Sequence, residues 1–216
     1  MVGHPDSLES SARPQAGETE LAAAAAVTPL PALLHGPRVR LRALTLDDVE
    51  AVFAYASDPE VTRYVEWTPH RTQQEAALYI QRCNRADQRR SQTFGVELLA
   101  SRRVIGAFDL RIVSHVWRIG EIGYTIARSH WGQGYNLEAG QLLIDYGFRA
   151  LGLRRIQAVC DVANRRSYRT MEKLGMRREF IIYRARYQDG RPIDRYRYSI
   201  RRREWQRHPL YQHNQS

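Results

Sequence analysis

The order of apolar and polar positions predicts regular structure from residue 38 onward. Val39 and Leu41 alternate with arginines, which is the period of a half-buried strand. Thr45 then stands at an N-cap position before apolar residues at helical spacing. The pattern therefore predicts a strand followed by a helix that ends near Pro59.

The rest of the chain predicts three more helices and six more strands. Thr72 followed by Glu75 has the spacing of a capping box and opens a helix that runs to about residue 89. Gly175 stands where a helix C-cap is expected. By number, the other elements are strands 93–99 and 104–112, a strand from 121, a helix after the turn 130–136, strand 155–162, helix 163–174 and strands 178–187 and 193–201.

This order of elements predicts the fold class and the domain organisation. Consecutive strands with short connections favour antiparallel pairing, and the later strand, helix, strand segment favours a parallel pair. We expect an α/β (α+β) domain with a central mixed, mostly antiparallel, twisted sheet and helices on both faces. Residues 37–207 form this domain, residues 1–36 a disordered Ala/Pro-rich tail, and residues 208–216 a flexible C-terminus.

Composition narrows the compartment and the ligand class. The formal net charge is +10, and Lys173 is the only lysine among the 33 basic residues. A positive domain favours anionic ligands such as nucleotides, phosphorylated cofactors or RNA, although a plain solvated basic surface is the more common explanation of such a charge. The two cysteines fit no metal or disulfide pattern, and no segment is long and apolar enough to cross a bilayer. We expect a cytoplasmic protein that binds neither metal nor membrane.

A turn with two glycines carries the first candidate chemistry. Gly132 and Gly134 directly precede a helix, where free backbone N–H groups favour an anion and glycine allows close approach. The turn lacks the lysine and hydroxyl of a P-loop and the spacing of the dinucleotide fingerprint. It predicts either a pyrophosphate site or a tight turn that only needs glycine.

Several motifs in a fixed order decide between these two interpretations. They are Glu121-Ile122-Gly123-Tyr124, Trp131-Gly132-Gln133-Gly134-Tyr135, Glu138-Ala139, Leu151 to Ile156, Asn164 with Ser167, Glu172 to Met176, and a C-terminal set of Asp189-Gly190, Asp194, Tyr198 and Glu204-Trp205. Together they resemble the GNAT superfamily of acyl-CoA-dependent N-acyltransferases, specifically its RimJ/RimL-like branch. The resemblance covers residues 38–205, all but the tail.

The resemblance implies acetyl-CoA as the cosubstrate and a place for it in the chain. Backbone N–H groups of the loop Gln133, Gly134, Tyr135, Asn136 and Leu137 would bind the CoA pyrophosphate. Ile126, Ala127 and Arg128 would pair with the pantetheine arm as an added strand. Asn164 would line the slot for the thioester. The sequence departs from the family at Asn136, where Gly or Ala is usual, and at Leu137, where Thr is common. The extra side chain of Asn136 would either crowd the phosphates or hydrogen-bond to them.

The implied reaction is direct attack of a neutral amine on the acetyl thioester, which requires a base and an acid. Glu121 is the candidate base, because strand alternation puts it beside Trp117 and Ile119, and apolar surroundings raise a carboxyl pKa. The alternative is that Glu121 pairs with an arginine. Ser167 is the candidate acid at the CoA sulfur, or else an ordinary first-turn helix serine.

Other polar residues along these strands and helices are secondary candidates for a role in the site. Asp109 and Tyr124 could also serve the reaction, and Cys160 only lines the site. Arginines at 165, 166 and 169 meet the CoA phosphates or form a solvated helix face. A terminal cluster of arginines and tyrosines, at 183–187 and 195–203, either surrounds an acceptor groove or forms plain surface.

Two functions from different classes follow from these residues. The first is an N-acetyltransferase whose acceptor is a protein N-terminal α-amine or a small-molecule amine. The second is a catalytically weak or inactive basic module that kept the fold and binds RNA or the ribosome. Ribosome association is compatible with both functions, and the terminal hairpin is compatible with a monomer or a homodimer.

Overall fold

The computed structural model describes residues 33–213, which form one sheet with helices packed on it. The strands are β1 Leu34–His35, β2 Val39–Arg42, β3 Ser91–Leu98, β4 Val104–Ser114, β5 Ile119–Ile126, β6 Arg155–Asp161, β7 Arg177–Gln188 and β8 Arg191–Arg201. The helices are α1 Val49–Ala56, α2 Pro59–Thr62, α3 Gln73–Arg85, α4 Tyr135–Arg149, α5 Arg165–Lys173, α6 Arg202–Gln206 and α7 Pro209–His213, with short 3-10 turns at Leu46–Asp48 and Arg128–His130.

The sheet has the strand order β1-β2-β3-β4-β5-β6-β8-β7. Every neighbouring pair is antiparallel except β5 and β6, which run parallel. That parallel ladder pairs only residues 119–121 with 155–157. The predicted mixed, mostly antiparallel sheet is confirmed, and its central strands separate beyond Glu121 and Gln157.

Two hydrophobic clusters confirm that helices cover both faces of the sheet. The larger cluster joins α4 and α5 to the sheet through fully buried residues such as Phe108, Leu143 and Ile156. The smaller one joins α1 and α3 through Val52 and Ile80. Val104 of β4 belongs to the smaller cluster and its neighbour Ile105 to the larger one, so the two clusters lie on opposite faces of the sheet.

The predicted helix boundaries have the expected local chemistry. The Thr72 hydroxyl accepts a hydrogen bond from the Glu75 N–H at 3.3 Å, while the Glu75 carboxylate accepts from the Arg71 N–H at 2.6 Å. These contacts satisfy orphan N–H groups at the start of α3. At the end of α5, Gly175 has φ +80° and its N–H donates to the Glu172 carbonyl. The left-handed conformation explains the glycine there.

A buried ion-pair network fixes β2 against β3 and the start of α1. Arg42 donates two hydrogen bonds to the Asp48 carboxylate, at 2.7 and 2.8 Å, and a third to Glu97. Burial by itself would raise the pKa of both carboxyls, but hydrogen bonds from Arg42 hold the pKa of Asp48 and Glu97 below their ordinary values. Arg42 therefore links the two carboxylates, and Arg40 also pairs with Glu97, at 2.7 Å.

The ordered chain extends beyond the domain limits expected from the sequence at both ends. Leu34 and His35 pair with β2, because Leu34 packs against the larger core. At the other end, α7 lies within the segment expected to be flexible, and Tyr211 packs against the core beneath the Arg149 guanidinium, 4.8 Å from its ring. Residues 1–32 and 214–216 lie outside the described residues, so the disordered tail stays a prediction there.

None of the helices between residues 33 and 213 is long and apolar enough to span a bilayer.

Candidate active site

The separation of β5 from β6 opens a cleft of about 1290 Å³ in the middle of the sheet. Its walls include β5 from Glu121 to Ile126, Val159 and Cys160 of β6, and the first turns of α4 and α5. Strand edges that lack a partner carry free backbone donors and acceptors. The cleft therefore offers main-chain hydrogen bonds as well as side chains.

The glycine turn, residues 132–136, lies at one end of the cleft. Gly132 and Gly134 both adopt left-handed conformations, with φ +77° and +85°, and Gly134 is the N-cap of α4. Within residues 33–213, the five backbone N–H groups of the turn donate no hydrogen bond. Such a row of N–H groups at the start of a fifteen-residue helix attracts an anion. Four of the N–H groups predicted to bind the pyrophosphate, those of residues 133–136, are thus free for an anion among the described residues, whereas the fifth, of Leu137, donates to the Gly134 carbonyl at 3.1 Å.

Arg38 and Glu138 brace the glycine turn from outside. The Glu138 carboxylate accepts from the backbone N–H groups of Arg38 and Val39, at 2.7 and 3.0 Å, and from the Arg38 Nε at 2.8 Å. Arg38 also donates to the Gln133 carbonyl at 3.0 Å and covers the Tyr135 ring. The sequence interpretation missed Arg38, since a separation of one hundred residues from Glu138 leaves no local signal.

The two residues that depart from the family pattern both line the cleft. The Asn136 Oδ1 atom is buried and has no hydrogen-bond partner among the described residues. An unpartnered buried amide oxygen is costly, and it is the kind of atom that a ligand donor or water satisfies. Leu137 packs against the larger core as well as facing the cleft. Asn136 can therefore either crowd or bond the phosphates, the choice left open by the sequence, whereas Leu137 can only crowd them.

Of the three residues predicted to pair with pantetheine, Ile126 lies on the free edge of β5, and Ala127 and Arg128 lie beyond the end of the strand. The Ala127 N–H donates to the Ile105 carbonyl of β4 at 2.7 Å, so the backbone of Tyr124 and Ile126 points the other way, into the gap. Trp131 donates its indole N–H to the Ile126 carbonyl at 2.7 Å. Ala127 and Arg128 line a separate shallow depression, because the chain enters a 3-10 turn at Arg128.

The predicted residues that the structure gathers around the cleft are Glu121, Ile126, Gly134, Tyr135, Asn136, Leu137, Asn164 and Ser167. Ala127, Arg128 and Gln133 are not among the lining residues. Gln133 turns its side chain to the Ser129 carbonyl, at 2.9 Å, and contributes only its backbone to the glycine turn. The backbone contacts expected of these three residues stay a prediction.

A pair of hydroxyl groups connects β5 to α5 beneath the gap. The Tyr124 hydroxyl lies 3.0 Å from the Ser167 hydroxyl and donates to the Ser167 carbonyl at 2.9 Å. Asn164 caps α5, its Oδ1 accepting from the Ser167 N–H at 3.2 Å. Burial raises the pKa of Tyr124, so its phenol stays protonated. The arrangement places neutral hydroxyl donors at the cleft.

Cys160 lines the cleft beside these hydroxyls. Burial raises the pKa of its thiol to about 11, against a smaller lowering by the Ser167 hydroxyl. The group is therefore a thiol at neutral pH and a weak nucleophile. Its position agrees with the lining role expected from the sequence.

Glu121 lies in the cleft wall but not in the apolar surroundings expected for it. Trp117 is 72 % exposed, because it belongs to the turn before β5 and not to the strand. The cross-strand neighbour of Glu121 is Arg111, whose guanidinium binds one carboxylate oxygen, while Gln157 donates to the other at 2.8 Å. The expected apolar neighbourhood is wrong, and the ion pair that the sequence left as an alternative is present.

Asp109 is a second carboxylate in the cleft wall. It pairs with Gly123 across the β4–β5 ladder, and its Oδ1 accepts from the Thr93 hydroxyl at 3.1 Å. Burial raises the pKa of Asp109 to about 6, against smaller lowering by Thr93 and Arg111. The carboxylate is thus ionised at neutral pH and readily takes a proton.

The arginines that follow Asn164 also line the cleft. Arg166 lies 4.4 Å from the centroid of the Trp131 ring, and Arg169 pairs with Glu172 at 3.0 Å. Arg165 completes the set. The alternative of phosphate-binding side chains therefore has the right location.

Three arginines of the terminal hairpin have internal partners. Arg186 and Arg195 both bind the buried carboxylate of Asp161, and Arg197 lies over the Phe180 ring at 5.3 Å. A guanidinium held in this way is less available to a nucleic-acid backbone. No specific contact in the hairpin thus favours the RNA-binding interpretation among the described residues.

Comparison with known proteins gives the family. The model of the acetyltransferase (GNAT) domain matches residues 38–177. The chain is 34% identical over 173 residues to Uncharacterized N-acetyltransferase p20 of Bacillus licheniformis, covering 80% of this chain and 97% of that protein. It is 29% identical over 138 residues to Spermidine N(1)-acetyltransferase of Escherichia coli (strain K12), covering 63% of this chain and 72% of that protein.

Solved structures agree with this match. The crystal structure of a GNAT-family acetyltransferase from Bacillus anthracis superposes with a TM-score of 0.72 at 29% identity, over 78% of this chain and 98% of that one. The sheet of that family and the sheet described above therefore have the same architecture. The chain belongs to the acetyltransferase (GNAT) family and is an N-acetyltransferase.

Proposed function

We propose that the protein transfers an acetyl group from acetyl-CoA directly to a primary amine, as a member of the RimJ/RimL-like branch. The observation that carries this proposal is the coincidence of two features at one cleft. One is the unpaired edge of β5 beyond Glu121, and the other is the row of free N–H groups in the glycine turn. A thioester on a long polar arm with a pyrophosphate needs both.

Acetyl-CoA fits the residues along the cleft in a definite order. The N–H groups of the glycine turn would hold the pyrophosphate, with Arg165 and Arg166 adding positive charge nearby. The backbone of Tyr124 and Ile126 would hold the pantetheine arm. When bound, the cosubstrate supplies an activated acetyl thioester, and the protein supplies position and proton transfer.

The chemistry forms a C–N bond and breaks a C–S bond. The amine nitrogen loses a proton to a base, and the departing sulfur gains one. Ser167, with the Tyr124 hydroxyl behind it, is the proposed hydrogen-bond donor to that sulfur. Two carboxylates in the cleft wall are candidates for the base, Glu121 and Asp109.

The acceptor is a protein N-terminal α-amine or a small-molecule amine. Helix α2 and the loop after it line the cleft through Glu60, Tyr64, Glu66 and Trp67. Acidic and aromatic side chains suit a cation attached to an organic body. The relation to a spermidine acetyltransferase supports a small amine, and the RimJ/RimL-like pattern supports a protein N-terminus.

The proposed compartment is the cytoplasm. Cys83 and Cys160 are both free thiols, and they lie on different elements, α3 and β6. Free buried thiols are usual in a reducing compartment. Soluble CoA thioesters and amines would both be available there.

A thiol-release assay tests the proposed function. The protein is mixed with acetyl-CoA and, in separate reactions, a polyamine, an amino-acid amide or a peptide with a free N-terminus. We expect amine-dependent release of free thiol with at least one class, and mass spectrometry of that reaction should find the acetylated amine. Release no faster than in buffer with all three classes, together with no thermal shift on adding acetyl-CoA, would contradict the proposal.

A further inference from the structure

We propose that Asp109, and not Glu121, accepts the proton of the acceptor amine, and that Gly123 leaves the opening through which it does so. This assignment rests on the proposed acetyl transfer. It concerns which of the two strand carboxylates in the cleft wall is chemically available.

The register of the sheet puts Asp109 directly beside the gap. Asp109 on β4 is the cross-strand partner of Gly123 on β5, the strand that borders the cleft. Gly123 has no side chain to separate the carboxylate from the cleft. A β-carbon built on Gly123 would lie 3.0 Å from the Asp109 Oδ2 atom. The glycine therefore uncovers Oδ2.

The two oxygens of Asp109 differ in their contacts. Oδ1 accepts the Thr93 hydroxyl, which fixes the orientation of the carboxylate. Oδ2 receives no hydrogen bond from the residues between 33 and 213. One oxygen is thus held while the other is available to a proton from the cleft.

Glu121 has the opposite arrangement. It shares the sheet face of Gly123, two residues away on β5. Both of its oxygens are engaged, one by Arg111 and the other by Gln157. An incoming amine would have to displace one of these two partners to reach a Glu121 oxygen, whereas Oδ2 of Asp109 is open.

The groups that face Asp109 from the packed elements do not supply a competing base. Three groups interact electrostatically with Asp109 from the helices: Tyr55 of α1, and Tyr79 and Cys83 of α3. Burial raises the pKa of all three, so they are neutral. Thr93 of β3 is not titratable, and the charged neighbours are Arg111 on β4 and its partner Glu121 on β5. Burial outweighs Arg111 and raises the pKa of Asp109 to about 6, close to the range that suits a base at neutral pH.

The proton balance follows from this placement. An ammonium acceptor gives one proton to the Asp109 carboxylate, and the neutral nitrogen then attacks the acetyl carbon. As the C–N bond forms and the C–S bond breaks, the proton that the nitrogen must still lose passes to the sulfur. Asp109 returns its proton to water after the products leave, so the net products are the amide, the free thiol and one proton.

The test compares Asp109→Asn with the matched carboxylate variant Glu121→Gln. It measures kcat/KM against pH for an amine accepted by the wild type, and acetyl-CoA affinity by calorimetry. We expect Asp109→Asn to lower kcat/KM about 100-fold at neutral pH, with acetyl-CoA affinity unchanged. Above pH 6, the slope of log kcat/KM against pH should fall to zero in the wild type but stay near one in Asp109→Asn, because its acceptor ammonium must first lose a proton to solvent. Glu121→Gln should lose less activity and keep the wild-type slope.

A second variant and a spectroscopic measurement keep the assignment separable from a folding defect. Gly123→Ala, which covers Oδ2, should lower kcat about 10-fold without changing acetyl-CoA affinity. Carboxyl-carbon NMR of the protein alone should find Asp109 titrating near pH 6. A wild-type slope in Asp109→Asn, or the loss of the wild-type slope in Glu121→Gln, would overturn this assignment and leave the proposed function standing. No thiol release by the wild type with any amine would overturn the proposed function and this assignment with it.

Discussion

The hydroxyl groups of Tyr124 and Ser167 lie 3.0 Å apart across the gap between β5 and α5. Tyr124 also donates to the Ser167 carbonyl, and its ring stacks on Phe108 at 5.0 Å. A tyrosine with one proton can give it to only one acceptor at a time. When the carbonyl receives it, the Ser167 hydroxyl keeps its own single proton, which it can give either to the Tyr124 oxygen or to a sulfur in the cleft.

The first prediction concerns this pair. Tyr124→Phe keeps the stacked ring and removes both hydrogen bonds, so kcat should fall about 10-fold and the free energy of unfolding by about 1 kcal/mol. Ser167→Ala should lower kcat by a similar factor, with acetyl-CoA affinity kept in both. Because the two hydroxyls act as a unit, the double variant should be no slower than the slower single variant. Steady-state kinetics and calorimetry measure these changes, and multiplicative losses would show that the hydroxyls act separately.

The second prediction concerns Arg42. Arg42→Met leaves the buried carboxylates of Asp48 and Glu97 without their shared partner, which should lower the free energy of unfolding by about 3–5 kcal/mol. Urea unfolding at pH 7 measures the loss. The control is Arg103→Met, whose guanidinium pairs with Glu50 at an exposed site and should cost less than about 1 kcal/mol. Equal losses in the two variants would contradict a special role for the buried network.

The third prediction concerns stability and pH at Asp109. Its pKa is about 6 in the folded protein and about 3.8 without burial, so the folded state loses stability as pH rises between these values. Asp109→Asn removes this loss. The variant should be more stable than the wild type by about 2 kcal/mol at pH 8, allowing for water that reaches the carboxylate through the cleft, and should gain nothing at pH 3.5. Urea unfolding at both pH values measures the difference in the free energy of unfolding between the variant and the wild type. An equal difference at the two pH values would contradict the raised pKa.

Local chemistry along the chain predicted much of the fold. The capping contact between Thr72 and Glu75 and the left-handed Gly175 depend on residues a few positions apart, so a single sequence contains their signal. The same holds for the glycine turn before α4. These features placed the elements in order and located the anion end of the cleft.

Relations between distant strands could not be predicted in the same way. Arg111 meets Glu121 because of the register of the β4–β5 ladder, which also shifts between Ile112 and Ser114. A shift of one residue moves every side chain to the other face, and periodicity along one strand contains no information on its partner's register. The ion pair at Glu121 and the opening beside Asp109 are both consequences of that register.

The role of the glycine turn is tested most directly by replacing Gly134. Gly134→Val forces a left-handed residue to carry a branched side chain, with its β-carbon 3.3 Å from the Arg38 guanidinium. Gly190→Val is the matched control, because Gly190 also has a positive φ, +73°, but lies in the β7–β8 turn outside the cleft lining. Thermal unfolding of both variants separates a loss of binding from a loss of folding.

The measurement is a calorimetric titration of acetyl-CoA into the wild type and both variants. We expect one molecule bound per chain in the wild type and in Gly190→Val. Binding should be at least about 100-fold weaker in Gly134→Val, because the row of N–H groups proposed to hold the pyrophosphate is lost. Equal affinity in the two variants, or no binding by the wild type, would contradict it.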